Sequence, residues 1–297
     1  MPKHQTAALQ VLRRADVPLT ETSGLCLRRE ADGSTTLLAI GDHEATIAWC
    51  RLPHDVDGEL TWATADLTRA DGTALPEHDP QLEAIASDGA GRVLLLQETP
   101  TRCELIDPPS VEVIARISLE VEGESDVARS WRDPDGSHGE GCILLREGHL
   151  LVAKEKDPMA IVEFGPAGAE AIGVGPGAAL PAGEAWDVGA GDLAYVALAT
   201  WLPDDALAKA CGDLSDMQLG PDGHLYVLSD QSTAIARLHD LPATGGVARA
   251  SALWTLDDVD GKPEGLAFLP SGYAVVALDT RKARHNLLLM GPAIAAP

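Results

Sequence analysis

The stretch HGEGCILLREGHLLVAKE, residues 138–155, decides the fold because the chain repeats its pattern. It has two apolar runs joined by a tight turn, with the carboxylates Glu140 and Glu155 near its open ends. Three other segments align with it without a gap: QLEAIASDGAGRVLLLQE (residues 81–98), DLSDMQLGPDGHLYVLSD (residues 213–230) and KPEGLAFLPSGYAVVALD (residues 262–279). A fifth copy, ETSGLCLRREADGSTTLLAIGD (residues 21–42), fits with a turn four residues longer. Their Gly and Asp turn residues allow positive φ, so the pattern predicts five β-hairpins.

A third apolar run follows every hairpin, and most copies supply a fourth. Four antiparallel strands repeated around an axis are typical of a β-propeller. The last copy lacks a fourth strand, and AALQVLRRADVPL (residues 7–19) would complete it and close the ring, removing an exposed sheet edge. We therefore predict an all-β, five-bladed β-propeller formed by residues 1–297 as a single domain, with an irregular insert at about residues 165–212. A six-bladed ring, with a degenerate blade inside residues 166–212, is the alternative.

Charge and cysteine content narrow the functional classes. The chain has 46 Asp plus Glu against 22 Lys plus Arg, a net charge of −24, which would repel nucleic acid and anionic membranes. A small polar molecule or a cation is therefore the expected partner. The five cysteines are widely spaced without a C-x-x-C motif, which favours reduced thiols. No long apolar segment indicates export or a membrane span, so we expect a cytoplasmic protein.

Each hairpin is expected to bring two side chains to one rim of the ring. The start of the first strand and the end of the second lie at the same end of an antiparallel pair. Fifteen residues separate the two positions in four of the copies. Eight of these ten rim positions are carboxylates; the ten are Ser23, Asp42, Glu83, Glu98, Glu140, Glu155, Ser215, Asp230, Glu264 and Asp279.

Carboxylates converging on one axis would repel one another unless positive charge neutralises them. A divalent cation is one source of that charge, and calcium suits oxygen ligands supplied by several strands. Basic side chains at the same rim are the other source, namely Lys154, Lys156, Arg281 and Arg284. A third interpretation is that the acids accept hydrogen bonds from backbone N–H groups of adjacent blades and hold the blades in register.

The motifs GEGCILL, VAKEKDP, DLSDMQLGPDGHLYVLSD and KPEGLAF resemble the SdiA-regulated, YjiK-like propeller proteins, which are distantly similar to NHL-repeat propellers. The resemblance covers roughly residues 23–290, and EKDP at residues 155–158 is its most specific part. It implies a five-bladed propeller with a calcium site near Glu83, Glu140 and Glu264, and it implies no reaction. The other predicted ligands are the rim acids Asp42, Glu98, Asp230 and Asp279. Ser23 and Ser215 replace Glu, so the ring is expected to be open on those sides.

Two functional classes follow. The first is a metal-dependent hydrolase that acts on a lactone, ester or phosphoester. In it the cation polarises a carbonyl or phosphoryl oxygen or lowers the pKa of bound water, and a side chain moves the proton. The candidate proton carriers are Glu155, His138 and His43, and the candidate substrate-binding residues are Lys154, Lys156, Arg281, Ser23 and Ser215. The insert would act as a lid. The second class is a non-catalytic propeller that binds a small ligand or a protein and holds a structural calcium.

Overall fold

The computed structural model describes residues 6–30, 32–52, 58–67, 81–99, 101–108, 112–175, 177–181 and 183–295. Within these ranges the chain forms 21 β-strands and two short helices, α1 (Asp126–Arg132) and α2 (Asp205–Ala210). Neither helix has the length or the apolar character needed to cross a bilayer, and the described residues contain no other α-helix. The all-β fold that the repeated hairpins predict is confirmed.

Twenty of these strands pair to form five antiparallel meanders of four strands each, which we call units 1 to 5. The first strand of the chain, β1 (Thr6–Ala15), belongs to unit 5. Unit 1 contains β2 (Thr22–Arg29), β3 (Thr35–Gly41), β4 (Thr46–Arg51) and β5 (Trp62–Asp66). Unit 2 contains β6 (Leu82–Ser87), β7 (Val93–Gln97), β8 (Arg102–Asp107) and β9 (Glu112–Glu120). Unit 3 contains β10 (Gly139–Leu144), β11 (Leu150–Lys154), β12 (Ala160–Pro166) and β13 (Gly191–Pro203).

The last two units follow the same plan. Unit 4 contains β14 (Asp216–Leu219), β15 (Leu225–Ser229), β16 (Ala234–Leu238) and β18 (Ala250–Asp257), while the short β17 (Gly246–Ala248) pairs with β13. Unit 5 contains β19 (Lys262–Phe268), β20 (Ala274–Asp279) and β21 (Leu287–Gly291) and is completed by β1. Residues 166–212 contribute β13 and α2 to the described structure but no hairpin of their own.

The first strands of the units form a closed ring. Strand β2 contacts β6, β6 contacts β10, β10 contacts β14, β14 contacts β19, and β19 returns to β2. The predicted pairing of the N-terminal strand with the last unit is confirmed, because β1 runs antiparallel to β21 with Arg14 opposite Leu288. The other edge of β1 pairs in parallel with β18 of unit 4. Strand β9 of unit 2 likewise pairs in parallel with β13 of unit 3.

The second strands of the units are the most completely buried strands. All five residues of β7, β11 and β15 are buried, because packing against neighbouring units covers both faces of each strand. One apolar cluster, for example, joins Leu151 of unit 3 to Met217 and Val227 of unit 4. Packing between units therefore supplies much of the hydrophobic stabilisation, and it fixes how closely the inner strands approach one another.

The part of the insert around residues 178–186 lies at the end of the ring opposite to the predicted rim. Gly89 N donates to Glu184 O (2.8 Å), and Trp186 N donates to the Asp88 carboxylate (3.0 Å), just beyond the end of β6. Arg146 N donates to Ala178 O (3.1 Å), just beyond the end of β10. Glu83 and Glu140 stand at the starts of those two strands. This part of the insert therefore does not cover the acidic rim as the expected lid, because its backbone is tied to the other end of the inner strands.

Candidate functional site: an acidic rim

A β-bulge lies at the rim position of four inner strands. In unit 3, Gly139 pairs with Lys154 and Gly141 pairs with Ala153, which leaves Glu140 outside the ladder. The same shift occurs at Ser23, Glu83 and Glu264. A bulge re-aims the side chain of the extra residue. The repeated bulge therefore gives these four side chains equivalent positions around the axis.

Small residues after the bulge allow the inner strands to approach closely. A Cβ atom on Gly141 would lie 2.7 Å from Met217 N of the next unit, and a Cβ on Gly265 would lie 2.9 Å from the Leu25 side chain. Distances this short exclude any larger residue without movement of the backbone or its neighbours. The close approach brings the rim carboxyl groups of neighbouring units together.

In unit 4 the residue after the rim residue Ser215 is Asp216, which is equivalent to Gly141 and Gly265. Its carboxylate joins two units. Its oxygens accept hydrogen bonds from Met217 N (2.7 Å) and Leu266 N (2.6 Å), the second of which belongs to β19 of unit 5. Burial raises the pKa of Asp216 well above its usual range, and the two N–H donors partly oppose that rise. The residue fastens adjacent inner strands, which is the role proposed above for acids that hold the units in register.

Burial and mutual repulsion raise the pKa of three rim acids. The pKa values of Glu83 and Glu140 rise well above their usual range, first because partial burial removes their carboxyl groups from water and then because other carboxylates surround them. A hydrogen bond from Glu140 partly offsets the shift at Glu83. Burial and the nearby Asp279 raise the pKa of Glu264 to about 8. These groups therefore hold protons at pH values where ordinary carboxyl groups are ionised.

A second carboxyl pair, Asp213 and Asp230, lies at the same rim. Burial and a hydrogen bond to Asp213 raise the pKa of Asp230 to about 7. Asp213 is buried, and its Oδ1 accepts a hydrogen bond from Ser229 Oγ (2.5 Å). Asp213 Oδ2 and Asp230 Oδ1 are also buried, and no donor of a described residue reaches either atom. The sequence analysis identified Asp230 but not Asp213.

The positive charge at the rim comes mainly from a residue that the sequence analysis missed. Lys262 Nζ lies 3.5 Å from Asp279 and 3.7 Å from Glu264, and these acids raise the pKa of Lys262. Of the predicted basic residues, Lys156 forms an ion pair with Glu155.

Two predicted substrate-binding residues, Lys154 and Arg281, are placed differently. Lys154 is fully buried; its Nζ donates to Ser137 Oγ (3.3 Å) and to Lys156 O, and burial lowers its pKa to about 8. Adjacent residues of a strand point to opposite faces, so a lysine next to Glu155 does not share its direction. The Arg281 side chain is 94% exposed and lies 3.9 Å from Glu21. Neither residue neutralises the centre of the rim.

Ser23 and Ser215 connect neighbouring units. Ser23 Oγ donates to Leu82 O of unit 2 (2.5 Å), and Ser215 Oγ donates to Pro263 O of unit 5 (2.9 Å). Both serines are buried. Their hydroxyl groups are thus engaged in contacts between units, which differs from the substrate-binding role expected from the sequence.

The two candidate histidines differ in burial. His43 is more than half exposed, and its Nε2 lies 3.4 Å from Asp42 and 3.7 Å from Glu21. His138 is buried, with Nε2 3.2 Å from Trp131 O and Nδ1 3.9 Å from Glu98 Oε1. His43 is thus the accessible one of the pair, while His138 is held in a fixed orientation.

The donor chemistry of the acidic rim fits a hard divalent cation. All the ionisable ligands are carboxylate oxygens, which calcium prefers, and Asp213 and Asp230 present buried oxygens without donors. In the described part of the chain, however, no three His, Cys, Asp or Glu side chains are already gathered at metal-binding distances. Binding of a cation would therefore require the rim carboxylates to move together.

The two missed residues, Asp213 and Lys262, share one sequence position with three other residues. Glu21, Gln81, His138, Asp213 and Lys262 each stand two residues before the rim residue of their unit. The same alignment that located the rim acids could therefore have located Asp213 and Lys262.

Comparison with solved structures shows the fold. The chain is similar to regucalcin, a calcium-binding protein from Agrobacterium tumefaciens str. C58, with 15% sequence identity and a TM-score of 0.51 over 99% of this chain and 98% of that one. It is also similar to the PQQ-bound aldose sugar dehydrogenase of Streptomyces coelicolor (14% identity, TM-score 0.45, 95% and 97% of the two chains). Virginiamycin B lyase from Staphylococcus aureus is a third similar structure (11% identity, TM-score 0.38, 92% and 72%).

No protein-family model matches the chain, and no curated protein sequence matches it. The regucalcin comparison supports a β-propeller-like fold, in agreement with the ring of inner strands. At this level of identity the likeness concerns the fold and not the ligand.

Proposed function

We propose that units 1 to 5 are the blades of a five-bladed propeller and that its acidic rim binds a divalent cation, calcium in the first place. The observation that carries the proposal is that Glu83, Glu140 and Glu264 are partly buried in one neighbourhood, where Glu264 raises the pKa of Glu83, and Glu83 and Glu264 both raise the pKa of Glu140. A bound cation would favour the ionised form of all three. The resemblance of the rim motifs to the SdiA-regulated propellers supports the same placement.

The residues that would hold the ion are Glu83, Glu140 and Glu264, with Asp42, Glu98, Asp230 and Asp279 around them. When bound, such an ion polarises a carbonyl or phosphoryl oxygen and acidifies water. We propose that the rim hydrolyses a small polar lactone, ester or phosphoester. The Glu155 carboxylate, held by Lys156, would accept a proton from the attacking water, and the exposed His43 would donate a proton to the leaving oxygen. Glu155 would then release its proton to the solvent, and His43 would take one up from it.

A non-catalytic binding propeller is the second candidate. The observation that favours it is that Lys262, Ser23 and Ser215 are all engaged within the protein, so that the rim already contains cross-links between units. In this case the ion would be structural, and the rim would bind a ligand without transforming it.

Metal content and thermal stability test the ion site. We expect one equivalent of divalent ion in the purified protein by inductively coupled plasma mass spectrometry, and a lower Tm after treatment with a chelator. Glu140→Gln should lose both the ion and the chelator effect. The exposed Glu170→Gln removes the same charge away from the rim and should behave as the wild type. A protein without an ion, and with a Tm unchanged by chelator or by added calcium, would refute the site.

Turnover separates the two candidate functions. The protein loaded with calcium is assayed against esters, lactones and phosphoesters, and Glu155→Gln is expected to lower kcat at least 100-fold because it removes the proton acceptor. If calcium binds stoichiometrically and no substrate of these classes is hydrolysed, the binding propeller with a structural ion replaces the hydrolase.

A further inference from the structure

A cavity of about 500 Å³ opens beside the acidic rim, between units 2 and 3. Leu119, Val121, Trp131 and Pro134 form its apolar part, and His138 lies at the rim side. Trp131 is buried at the end of α1, where its ring packs against Phe164 and its Nε1 donates to Leu119 O (3.0 Å). The wall is thus held in place by contacts within the protein. Its volume is within the usual range for a small-molecule site.

One nitrogen of the His138 imidazole contacts a backbone carbonyl, and the other has no hydrogen-bond partner among the described residues. Its Nε2 lies 3.2 Å from Trp131 O, and a carbonyl oxygen only accepts, so Nε2 carries the proton. Nδ1 of the neutral ring is then an acceptor. The side chain is only 5% exposed, and Nδ1 has no hydrogen-bond partner among the described residues. A buried acceptor left without a donor is costly, and it indicates a group that a ligand would satisfy.

The Glu98 carboxylate is a second acceptor beside the same nitrogen. Its Oε1 lies 3.9 Å from His138 Nδ1, too far for a direct hydrogen bond. A donor group located between the two atoms could reach both. Two acceptors facing one gap select a ligand that carries several N–H donors, since a single hydroxyl hydrogen satisfies only one of them.

The charge of the cavity wall favours a positive ligand. Among the described residues that line the cavity, three are acidic (Glu98, Glu120 and Glu122) and one, Arg132, carries a permanent positive charge. The Arg132 guanidinium already donates to Gly123 O (2.9 Å) and lies 3.9 Å from Glu124. The wall therefore has excess negative charge, with an apolar surface beside it.

We propose that this cavity binds a small molecule that carries a protonated amine next to an apolar body. The ammonium group donates to His138 Nδ1 and to Glu98, and the apolar body lies against Leu119 and Trp131. The site adjoins the acidic rim through Glu98, but it requires no bound metal. Glu98 is also one of the proposed cation ligands, so an amine and a cation would compete for this carboxylate, and the amine site is tested with the cation removed.

Isothermal titration calorimetry in excess chelator tests the proposal with three matched probes: 2-phenylethylammonium, 2-phenylethanol and phenylacetate. The ammonium probe is expected to bind at least tenfold more tightly than the alcohol, and phenylacetate more weakly than either. Glu98→Gln and His138→Gln should each weaken binding of the ammonium probe at least tenfold, and Glu170→Gln should leave it unchanged. The imidazole ¹⁵N resonance of His138 Nδ1 should shift when the ammonium probe is added.

Three results would overturn the proposal. The first is equal binding of the alcohol and the ammonium probe, or binding of neither. The second is a His138 ¹⁵N spectrum that does not change at saturation, which covers the case in which His138→Gln fails to fold. The third is loss of binding in Glu140→Gln with retention in His138→Gln and Glu98→Gln, which would place the amine in the acidic rim.

Discussion

Glu83 and Glu140 come from the inner strands of neighbouring units, and their partly buried carboxyl groups share a hydrogen bond. Such a bond requires a proton on one of the two groups, because two ionised carboxylates have no donor. A cation at the same place would take over the role of that proton. Protons and divalent cations should therefore compete for the acidic rim.

The first prediction concerns pH and stability in the presence of chelator. Glu264 has an ordinary pKa of 4.5 and a folded-state pKa of about 8, so the folded protein binds its proton more tightly than the unfolded chain does. The contribution of this proton to the free energy of unfolding is complete below about pH 4.5 and is lost as the pH rises to about 8. Its size is up to about 1.4 kcal/mol for each unit by which the folded and unfolded pKa values differ. Denaturant unfolding from pH 5 to 8 measures it.

Glu264→Gln is the control for this pH dependence. Glutamine cannot titrate, so the variant should lose less stability than the wild type between pH 5 and 8. Calcium should reduce the wild-type loss by replacing the proton. A wild-type free energy of unfolding that rises steadily across this range would contradict the assignment of raised carboxyl pKa values to the rim.

The close approach of the inner strands makes a second prediction. Gly141→Ala places a Cβ atom 2.7 Å from Met217 N, so two backbones must separate, and we expect a destabilisation of about 1–3 kcal/mol. Gly175→Ala is the matched control, because its Cβ would meet only Asp240 at 3.4 Å. Chemical unfolding of both variants measures the difference. Equal stabilities would show that the ring of inner strands can expand without cost.

A third prediction concerns the buried pair of His149 and Glu163. Glu163 accepts hydrogen bonds from His149 Nδ1 (2.6 Å), Ile172 N (2.8 Å) and Gly173 N (2.9 Å), and it thereby holds the start of the insert. Glu163→Ala leaves these buried groups without an acceptor, so the expected loss is about 3–5 kcal/mol. Limited proteolysis should then cut the insert faster than in Glu170→Ala. An insert equally resistant in both variants would refute this anchoring role.

The cysteines give a fourth prediction. All five are free and buried. Burial raises the pKa of Cys50 and Cys211 to about 12, and it raises the pKa of the other three thiols further. The thiolate is the reactive form, so none should react with Ellman's reagent in the folded protein, and all five should react in denaturant. Rapid modification of one cysteine under native conditions would show that its strand is accessible.

The sequence alone predicted the strand order and most of the acidic rim. Four gapless hairpins with a constant spacing of fifteen residues are sufficient to place Glu140 and Glu155 at one end of a unit. The β-bulges were not predicted, because a bulge depends on pairing between strands and not on the order of apolar residues within one. Lys154 was assigned to the rim from its proximity in sequence to Glu155, although neighbouring residues of a strand diverge. The part of the insert around residues 178–186 was misplaced because its anchors, Asp88 and Gly89, lie in a different unit.

The pairing of β1 with β21 has a consequence for how the chain folds. The partner residues Arg14 and Leu288 are separated by nearly the whole sequence, so unit 5 stays incomplete until both strands are available. During synthesis β1 would therefore wait with its backbone edges unpaired, and such edges are where chains associate wrongly. Completion of the ring should be a late step that depends on long-range contacts, and late steps of this kind slow folding. Shielding β1 until β21 emerges is thus a requirement that this architecture places on the cell.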